Sequence, residues 1–154
     1  MEKILIAIDY HPTAEKVAMY GHTIAKALGA NVALLHVLAD AVFYSSSTYD
    51  PIMGFGGYAD LSMTPITIVD NLEHSSYLYL NKIKTFLGDE EIKNYVRSGN
   101  CADVIKETAI ELEADMIVMG THSQNWLEHL VLGSVTQNVL QHIHIPLYII
   151  PTKK

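Results

Sequence analysis

Short apolar runs recur along the chain and alternate with longer stretches in which apolar residues return every third or fourth position. The short runs are rich in Ile, Val and Leu and nearly free of charge, which is typical of strands buried on both faces of a sheet. The run at 92–96 alternates apolar with polar residues and predicts a half-buried strand. The predicted strands are residues 4–8, 31–37, 92–96, 115–119 and 146–150.

The stretches between these strands carry the period of amphipathic helices. The first helix begins at Pro12 or Thr13 and ends at Gly29, since glycine commonly terminates helices. Further helices are predicted for residues 66–87, 103–112 and 134–142. The helix at 66–87 is expected to turn one side toward the core, formed by Val69, Leu72, Tyr77, Leu80, Ile83 and Phe86.

Strands that alternate with helices imply right-handed crossovers and a mainly parallel sheet with helices on both faces. A chain of 154 residues is expected to form one domain, which here spans residues 1–154. The segment at about 39–65 breaks the alternation, is rich in Ser, Gly, Tyr and Met, and is predicted to be a long surface loop. Loops of that length in compact domains are usually functional or disordered.

The composition narrows the class of protein. With 49% hydrophobic and 18% charged residues, the chain has the balance of a soluble globular protein with a large core. Its net charge of −7, and the lack of Lys or Arg between Lys106 and Lys153, argue against nucleic acid as a partner. The single cysteine, Cys101, fits a reducing cytoplasm, and the start MEKILIAID does not have the form of a signal peptide. No apolar run approaches the roughly 20 residues of a membrane span, so no membrane association is expected.

Three segments that follow predicted strands are expected to meet at one edge of the sheet. Asp9 follows the first strand, residues 36–37 end the second, and residues 119–123 follow the fourth. In open parallel sheets, ligands bind beyond the carboxyl ends of the strands, where the strand order reverses. Gly133 and Ser134 open the last helix, and the backbone N–H groups of a helix start favour an anion. The sequence therefore predicts a phosphate site at this edge.

The chain resembles the universal stress protein family over essentially its whole length. The resemblance rests on a first strand ending in Asp9, on LHV at 35–37 and ADMIVMG at 114–120, and above all on LGSVTQNV at 132–139 with IPLYII at 145–150. It implies a single-domain, open five-stranded parallel sheet of the Rossmann-like, adenine nucleotide alpha hydrolase-like type, and usually a homodimer. An apolar last strand at a sheet edge also invites pairing with a second copy. We therefore expect a two-fold homodimer through Leu147, Tyr148, Ile149 and Ile150.

The ATP-binding branch of that family carries the pattern G-x-x-G-x9-G-[ST], in which a loop and a glycine–serine turn hold phosphates and ribose. Gly120, Gly133 and Ser134 match it, which implies ATP as the ligand, with Mg²⁺ bound alongside it. The middle glycine is Ser123 here, and serine in the left-handed conformation costs roughly 1–2 kcal/mol. The residues after it, 124–129, contain no Lys or Arg, so this departure weakens the prediction of ATP.

By the same resemblance, Asp9 is expected near the ribose or the Mg²⁺ ion, while Val37 and Met119 would line the adenine pocket. The full set of residues expected to bind the nucleotide is Ala7, Ile8, Asp9, Val37, Met119, Gly120, His122, Ser123, Gly133, Ser134, Val135 and Thr136.

Several candidates also have a purely structural interpretation. Asp9 is suited to cap the turn that follows it, and Ser134 to cap the helix that it opens. Cys101 lies near a helix start, where a thiol pKa can fall, although a lone buried cysteine is more common. The eight histidines lack the spacing of a helical zinc site, and His122 alone is placed to approach a phosphate.

Three functions remain open on these grounds. The first is a cytoplasmic, dimeric regulatory stress protein that binds ATP or a related adenine nucleotide. The second is a stress protein that does not bind ATP and acts through protein partners. The third is a weak nucleotide hydrolase, which ranks last because no general base and no catalytic residue are identifiable from the sequence. The chain is therefore not expected to be an enzyme.

Overall fold

The computed structural model describes residues 1–38, 65–121 and 133–152, except for the side chains of residues 65–69. Within these ranges five strands alternate with four helices, and their bounds agree with the predicted ones to within two residues. Apart from Pro65, the predicted loop at 39–65 lies outside the described residues. The elements are β1 Lys3–Ala7, α1 Ala14–Leu28, β2 Asn31–Leu38, α2 Pro65–Leu87, β3 Lys93–Ser98, α3 Cys101–Glu111, β4 Met116–Thr121, α4 Ser134–His142 and β5 Leu147–Pro151.

All five strands run parallel, as predicted, and they lie in the order β3-β2-β1-β4-β5. The chain moves outward from β1 through β2 to β3, and then returns to place β4 and β5 on the other side of β1. Ile6 of β1 therefore pairs with Leu34 on one side and with Val118 on the other. Such a reversal of strand order opens a crevice at the carboxyl ends of the two strands between which it occurs.

The sheet separates two apolar layers. On one face Ile4, Ile6 and Leu34 pack under α1 and α2. On the other face Leu5 and Leu35 pack under α3 and α4. Because successive side chains of a strand point to opposite faces, each buried strand supplies both layers, which explains why the strands read as unbroken apolar runs.

Helix α2 turns a different side to the core than the sequence suggested. Tyr77 and Phe86 are 38% and 54% exposed, so the prediction that they face inward is wrong. The inner stripe instead includes Ser76, which is fully buried beside Leu80 and Ile83. The predicted and the observed inner faces of α2 share Leu80 and Ile83. They differ because the polar Ser76 is buried in place of Tyr77 and Phe86. None of the described helices is long and apolar enough to cross a membrane.

Helix ends follow ordinary capping chemistry. Gly29 has φ of 64° and its N–H donates to the carbonyls of Ala25 and Lys26, which ends α1 as predicted. At the start of α3, the Asn100 side chain accepts hydrogen bonds from the N–H groups of Ala102 and Asp103 at 3.1 and 3.2 Å. The cap thus takes up two of the N–H groups in the first turn of α3.

A buried hydroxyl in α3 gives a stability prediction. Thr108 is fully buried, and its Oγ1 has no hydrogen-bond partner among the described residues. A valine of nearly the same shape removes the unsatisfied group, so Thr108→Val should raise the free energy of unfolding by about 1 kcal/mol. Urea denaturation measures this, with Thr108→Ser, which keeps the hydroxyl and loses a methyl group, as the destabilised control. A valine variant less stable than the parent chain would refute the assignment.

Candidate functional site

A cavity of about 360 Å³ lies where the strand order reverses. Its walls come from the end of β1 and the start of α1, from β2 and β4, and from the first turns of α3 and α4. The described residues that line it are Ala7, Ile8, Asp9, Ala14, Val17, Leu35, Val37, Cys101, Ile105, Met119, Gly120, Gly133, Ser134, Val135 and Thr136.

This lining contains every described residue of the predicted nucleotide site, ten in all. The other two, His122 and Ser123, lie outside the described residues. The structure adds five residues that the sequence did not suggest: Ala14, Val17, Leu35, Cys101 and Ile105. Four of these are apolar and read in the sequence as ordinary core positions, so no local signal distinguished them.

The start of α4 presents backbone donors to the cavity. Gly133 is its N-cap residue, with φ of 77° and ψ of 148°, and no side chain caps the helix. The first intrahelical bond runs from the N–H of Gln137 to the carbonyl of Gly133 at 2.9 Å. The N–H groups of Ser134, Val135 and Thr136 therefore have no partner within the helix, and all three residues line the cavity.

The prediction that Ser134 caps α4 is wrong, because Ser134 is already the first helical residue and Gly133 occupies the cap position. A Cβ built on Gly133 would meet no atom of the described residues within 4 Å. Glycine is thus needed there for its positive φ, which L side chains rarely adopt, and not for space.

Gly120 serves a different purpose. It lies inside β4, which runs on through Thr121 beyond the predicted end of the strand. A Cβ at Gly120 would lie 2.8 Å from Val17 Cγ2 and 3.0 Å from Thr152 Cγ2. The glycine therefore allows α1 and the residue after β5 to pack closely against the end of β4, at the wall of the cavity.

Asp9 caps a turn and also lies at the cavity. Its Oδ1 accepts a hydrogen bond from the N–H of His11 at 3.0 Å, which confirms the predicted turn cap. Asp9 is exposed and also lines the cavity. Capping the turn and facing the cavity are therefore compatible.

Side chains from β2 and α2 fix the corner between β1 and α1. His36 Nδ1 donates to the carbonyl of Ile8 at 2.9 Å, and the Tyr79 hydroxyl donates to the carbonyl of Asp9 at 3.0 Å. Tyr10 packs between their rings, with centroid distances of 4.2 Å to His36 and 4.8 Å to Tyr79. The backbone that carries Asp9 is consequently held by two hydrogen bonds and an aromatic stack.

Two corrections follow for neighbouring residues. His36 was predicted at the site, yet it does not line the cavity, because it points to the face of α1 and α2 while Val37 points to the cavity. Cys101 does line the cavity, and burial, assisted by the negative charge of Asp9, raises the pKa of its thiol to about 11. The helix start does not activate this thiol, which stays protonated at neutral pH.

The described residues offer little to a metal ion. They contain no group of three or more His, Cys, Asp or Glu side chains placed to hold one. Asp9 is the single carboxylate of the described lining. A Mg²⁺ ion at this place would have one protein carboxylate and would take its other ligands from phosphate oxygens and water, which is a common arrangement for nucleotide-bound magnesium.

The buried histidine gives a pH prediction. Burial lowers the pKa of His36 despite the opposing effects of its bond to Ile8 and the charge of Asp9. The unfolded chain then binds a proton at a higher pH than the native chain does, so stability is lost as the pH falls below about 6.5. His36→Asn, whose amide can still donate to Ile8, should flatten this dependence.

Thermal unfolding of both proteins across about pH 5 to 8 tests this, since the difference between them removes the effect of the other histidines. A parent chain that loses no more stability on acidification than the variant would contradict it. His22→Asn is a useful comparison, because His22 is also buried but pairs with Asp89 at 2.8 Å.

Comparisons with known proteins agree with the fold. The model of the universal stress protein family matches residues 1–151. No curated protein matches the chain.

Among solved structures, universal stress protein UspA from Lactobacillus plantarum is similar with a TM-score of 0.71 at 21% identity, covering 97% of each chain. A universal stress protein in complex with cAMP has a TM-score of 0.68 at 17% identity, covering 99% of this chain and 98% of the other. The universal stress protein from Archaeoglobus fulgidus in complex with dAMP has a TM-score of 0.61 at 20% identity, covering 97% of each chain. At these identities the similarity shows the fold.

Proposed function

The chain belongs to the universal stress protein family, and we propose that it is a regulatory protein that binds an adenine nucleotide in the cavity at the ends of β1 and β4. The observation that carries this proposal is the cavity itself. Ten residues chosen from four separate segments of the sequence come together around a single space of about 360 Å³. That volume falls within the range of about 300–1,000 Å³ that is usual for small-molecule sites.

The lining suggests how such a ligand sits. The base packs against the apolar side chains of Val37 and Met119, and the ribose lies near the Asp9 carboxylate. A phosphate lies at the first turn of α4, where three N–H groups have no helical partner and the helix dipole favours negative charge. The apolar and polar parts of the cavity thus match the two halves of a nucleotide.

Similar structures support the choice of an adenine nucleotide. Two of them, at 17% and 20% identity, hold cAMP and dAMP respectively. ATP, with or without Mg²⁺, belongs to the same ligand class. Regulation by binding fits the lining better than hydrolysis does, because its ionisable side chains are Asp9, which caps a turn, and Cys101, whose thiol stays protonated.

Direct binding measurements test this proposal. Mass spectrometry of the purified and denatured protein should show a co-purified adenine nucleotide, and calorimetric titration with adenine nucleotides should give saturable heat. Val135→Trp fills the cavity at the phosphate end and should weaken binding roughly tenfold or more, because overpacking a site costs about 1–3 kcal/mol. Leu140→Trp is the matched control, since Leu140 lies on the same helix, is exposed and does not line the cavity.

The absence of both nucleotide and binding heat would overturn this function. It would favour the alternative of a stress protein that acts through protein partners without a nucleotide. Release of phosphate from ATP, lost in Val135→Trp and kept in Leu140→Trp, would favour a weak hydrolase instead.

A second part of the proposal concerns assembly: two copies pair through β5. This strand lies at one end of the described sheet and pairs only with β4 there. Tyr148 is 44% exposed on it, and the neighbouring residues Leu147 and Ile149 are half-buried. An apolar strand with free backbone groups favours pairing with a second copy.

Light scattering at micromolar concentration should therefore give the mass of a dimer. Tyr148→Asp should shift the protein toward the monomer, because it places two equal charges near the two-fold axis. Tyr77 is exposed on α2 and not on β5, so Tyr77→Asp should leave the dimer intact. A monomeric parent chain would sink the assembly proposal without affecting the nucleotide site.

A further inference from the structure

We propose that the cavity selects an adenine nucleotide with one phosphate over the triphosphate. This inference rests on the proposed function and narrows its ligand class. It depends on the distribution of charge and of hydrogen-bond donors around the cavity, and on the volume available.

The described lining holds a negative charge and no positive one. None of its residues is Lys, Arg or His, and Asp9 carries its only charge at neutral pH. The field of Asp9 extends across the cavity, because the same charge contributes to the raised pKa of Cys101 at the start of α3. A phosphate chain that enters this space meets repulsion that grows with each added phosphate.

The lysines nearest in sequence to the lining are already engaged. Lys16 Nζ donates to the carbonyl of Pro151 at 3.0 Å. Lys106 Nζ lies 2.9 Å from Asp103 Oδ1 and donates to Asn138 Oδ1 at 3.1 Å. Bringing either ammonium group to a ligand would break these bonds.

The two inner segments outside the described residues contain no Lys or Arg. Residues 39–64 and 122–132 contain four acidic residues, Asp40, Asp50, Asp60 and Glu128, and the two histidines His122 and His129. With histidine counted as neutral, the charge balance of the chain between Lys26 and Lys82, and between Lys106 and Lys153, is negative. A γ-phosphate thus has no Lys or Arg side chain in either segment to offset its charge.

Two helix starts face the cavity, and the start of α4 leaves more of its N–H donors open than the start of α3 does. The first turn of α3 is capped by the Asn100 side chain, which takes up the N–H groups of Ala102 and Asp103. The first turn of α4 has no side-chain cap and leaves the N–H groups of Ser134, Val135 and Thr136 without helical partners. A helix start carries about half a unit of positive charge. That suits one phosphate group.

The volume of the cavity also favours a nucleotide with one phosphate. At about 360 Å³ the cavity lies near the lower end of the range for small-molecule sites, roughly 300–1,000 Å³. A nucleoside with one phosphate or one cyclic phosphate makes fuller use of such a space than a nucleotide with an extended chain.

Calorimetric titration of the full chain with adenosine, AMP, cyclic AMP and ATP, in EDTA and again with Mg²⁺, tests the inference. In EDTA, AMP or cyclic AMP should bind about tenfold or more tightly than ATP, the size expected of one charge interaction in a partly exposed site. Mg²⁺ should reduce this ratio of affinities, because it offsets part of the triphosphate charge. AMP and cyclic AMP should still bind more tightly than ATP. Adenosine should bind more weakly than AMP, because it lacks the phosphate that α4 receives.

Charge variants identify the cause of the preference. Ser134→Lys places an ammonium group at the start of α4 and should raise the affinity for ATP relative to AMP about tenfold. Ser134→Gln has a similar length without the charge, so a change in the ratio that both variants share comes from bulk, and the difference between them comes from charge. Asp9→Asn should also raise the affinity for ATP relative to AMP, because it removes the negative charge. Glu90 is exposed and remote from the cavity, so Glu90→Gln should leave this ratio unchanged.

Each outcome is decisive. ATP binding as tightly as AMP in EDTA would overturn the selection for one phosphate and leave nucleotide binding intact. Adenosine binding as tightly as AMP would overturn it as well, since the phosphate would then contribute nothing. A chain that binds none of these compounds would refute the proposed function, and this inference with it.

Discussion

Ile4, Leu5 and Ile6 are fully buried because β1 has a strand on each edge and a pair of helices on each face. Burying a side chain of this size stabilises the fold by about 1.5–3 kcal/mol relative to leaving it exposed. A shift of β1 by one residue would exchange its side chains between the two apolar layers and disturb the packing of both. Pairing on both edges also forces the later connections to diverge from β1, and the cavity lies where they do so. The position of the site is in this sense a consequence of enclosing the first strand.

Much of the architecture was predictable because it depends on repeating patterns. Apolar runs located four of the strands and an alternating run located β3, and the alternation of strands with helices predicted the parallel sheet. Ten described residues that the sequence predicted to bind a nucleotide line one cavity, because they follow strands or open a helix, and those places converge in any sheet of this topology. The rest depended on contacts between distant elements. The inner face of α2 was decided by Ser76, whose hydroxyl donates to the carbonyl of Leu72 and accepts from Tyr10, and no local pattern marks that pair.

The contrast between the starts of α3 and α4 shows how similar elements acquire different chemistry. Asn100 turns its side chain back onto the first turn of α3 and takes up two of the donors there. Gly133 has no side chain, so it leaves the donors of α4 open toward the cavity. Glycine in place of a capping side chain costs a helix roughly a few tenths of a kcal/mol, and α4 bears that cost. An uncapped helix start at a cavity thus exchanges local stability for the ability to receive an anion.

The two matching glycines of the family pattern are required for unrelated reasons. Gly133 has a backbone conformation that other residues rarely adopt, although there is space around it for a Cβ. Gly120 has no space for a Cβ because Val17 and Thr152 approach it, and this constraint exists whether or not a ligand is bound. A glycine of the first kind bears on the anion site, whereas one of the second kind bears on packing. A match to this pattern therefore reports on two properties, the backbone conformation at the helix start and the close packing of β4. The presence of the packing glycine does not indicate how many phosphates the cavity accepts. The number of phosphates that the cavity accepts depends on the charge around it, and a pattern of glycines carries no information about charge.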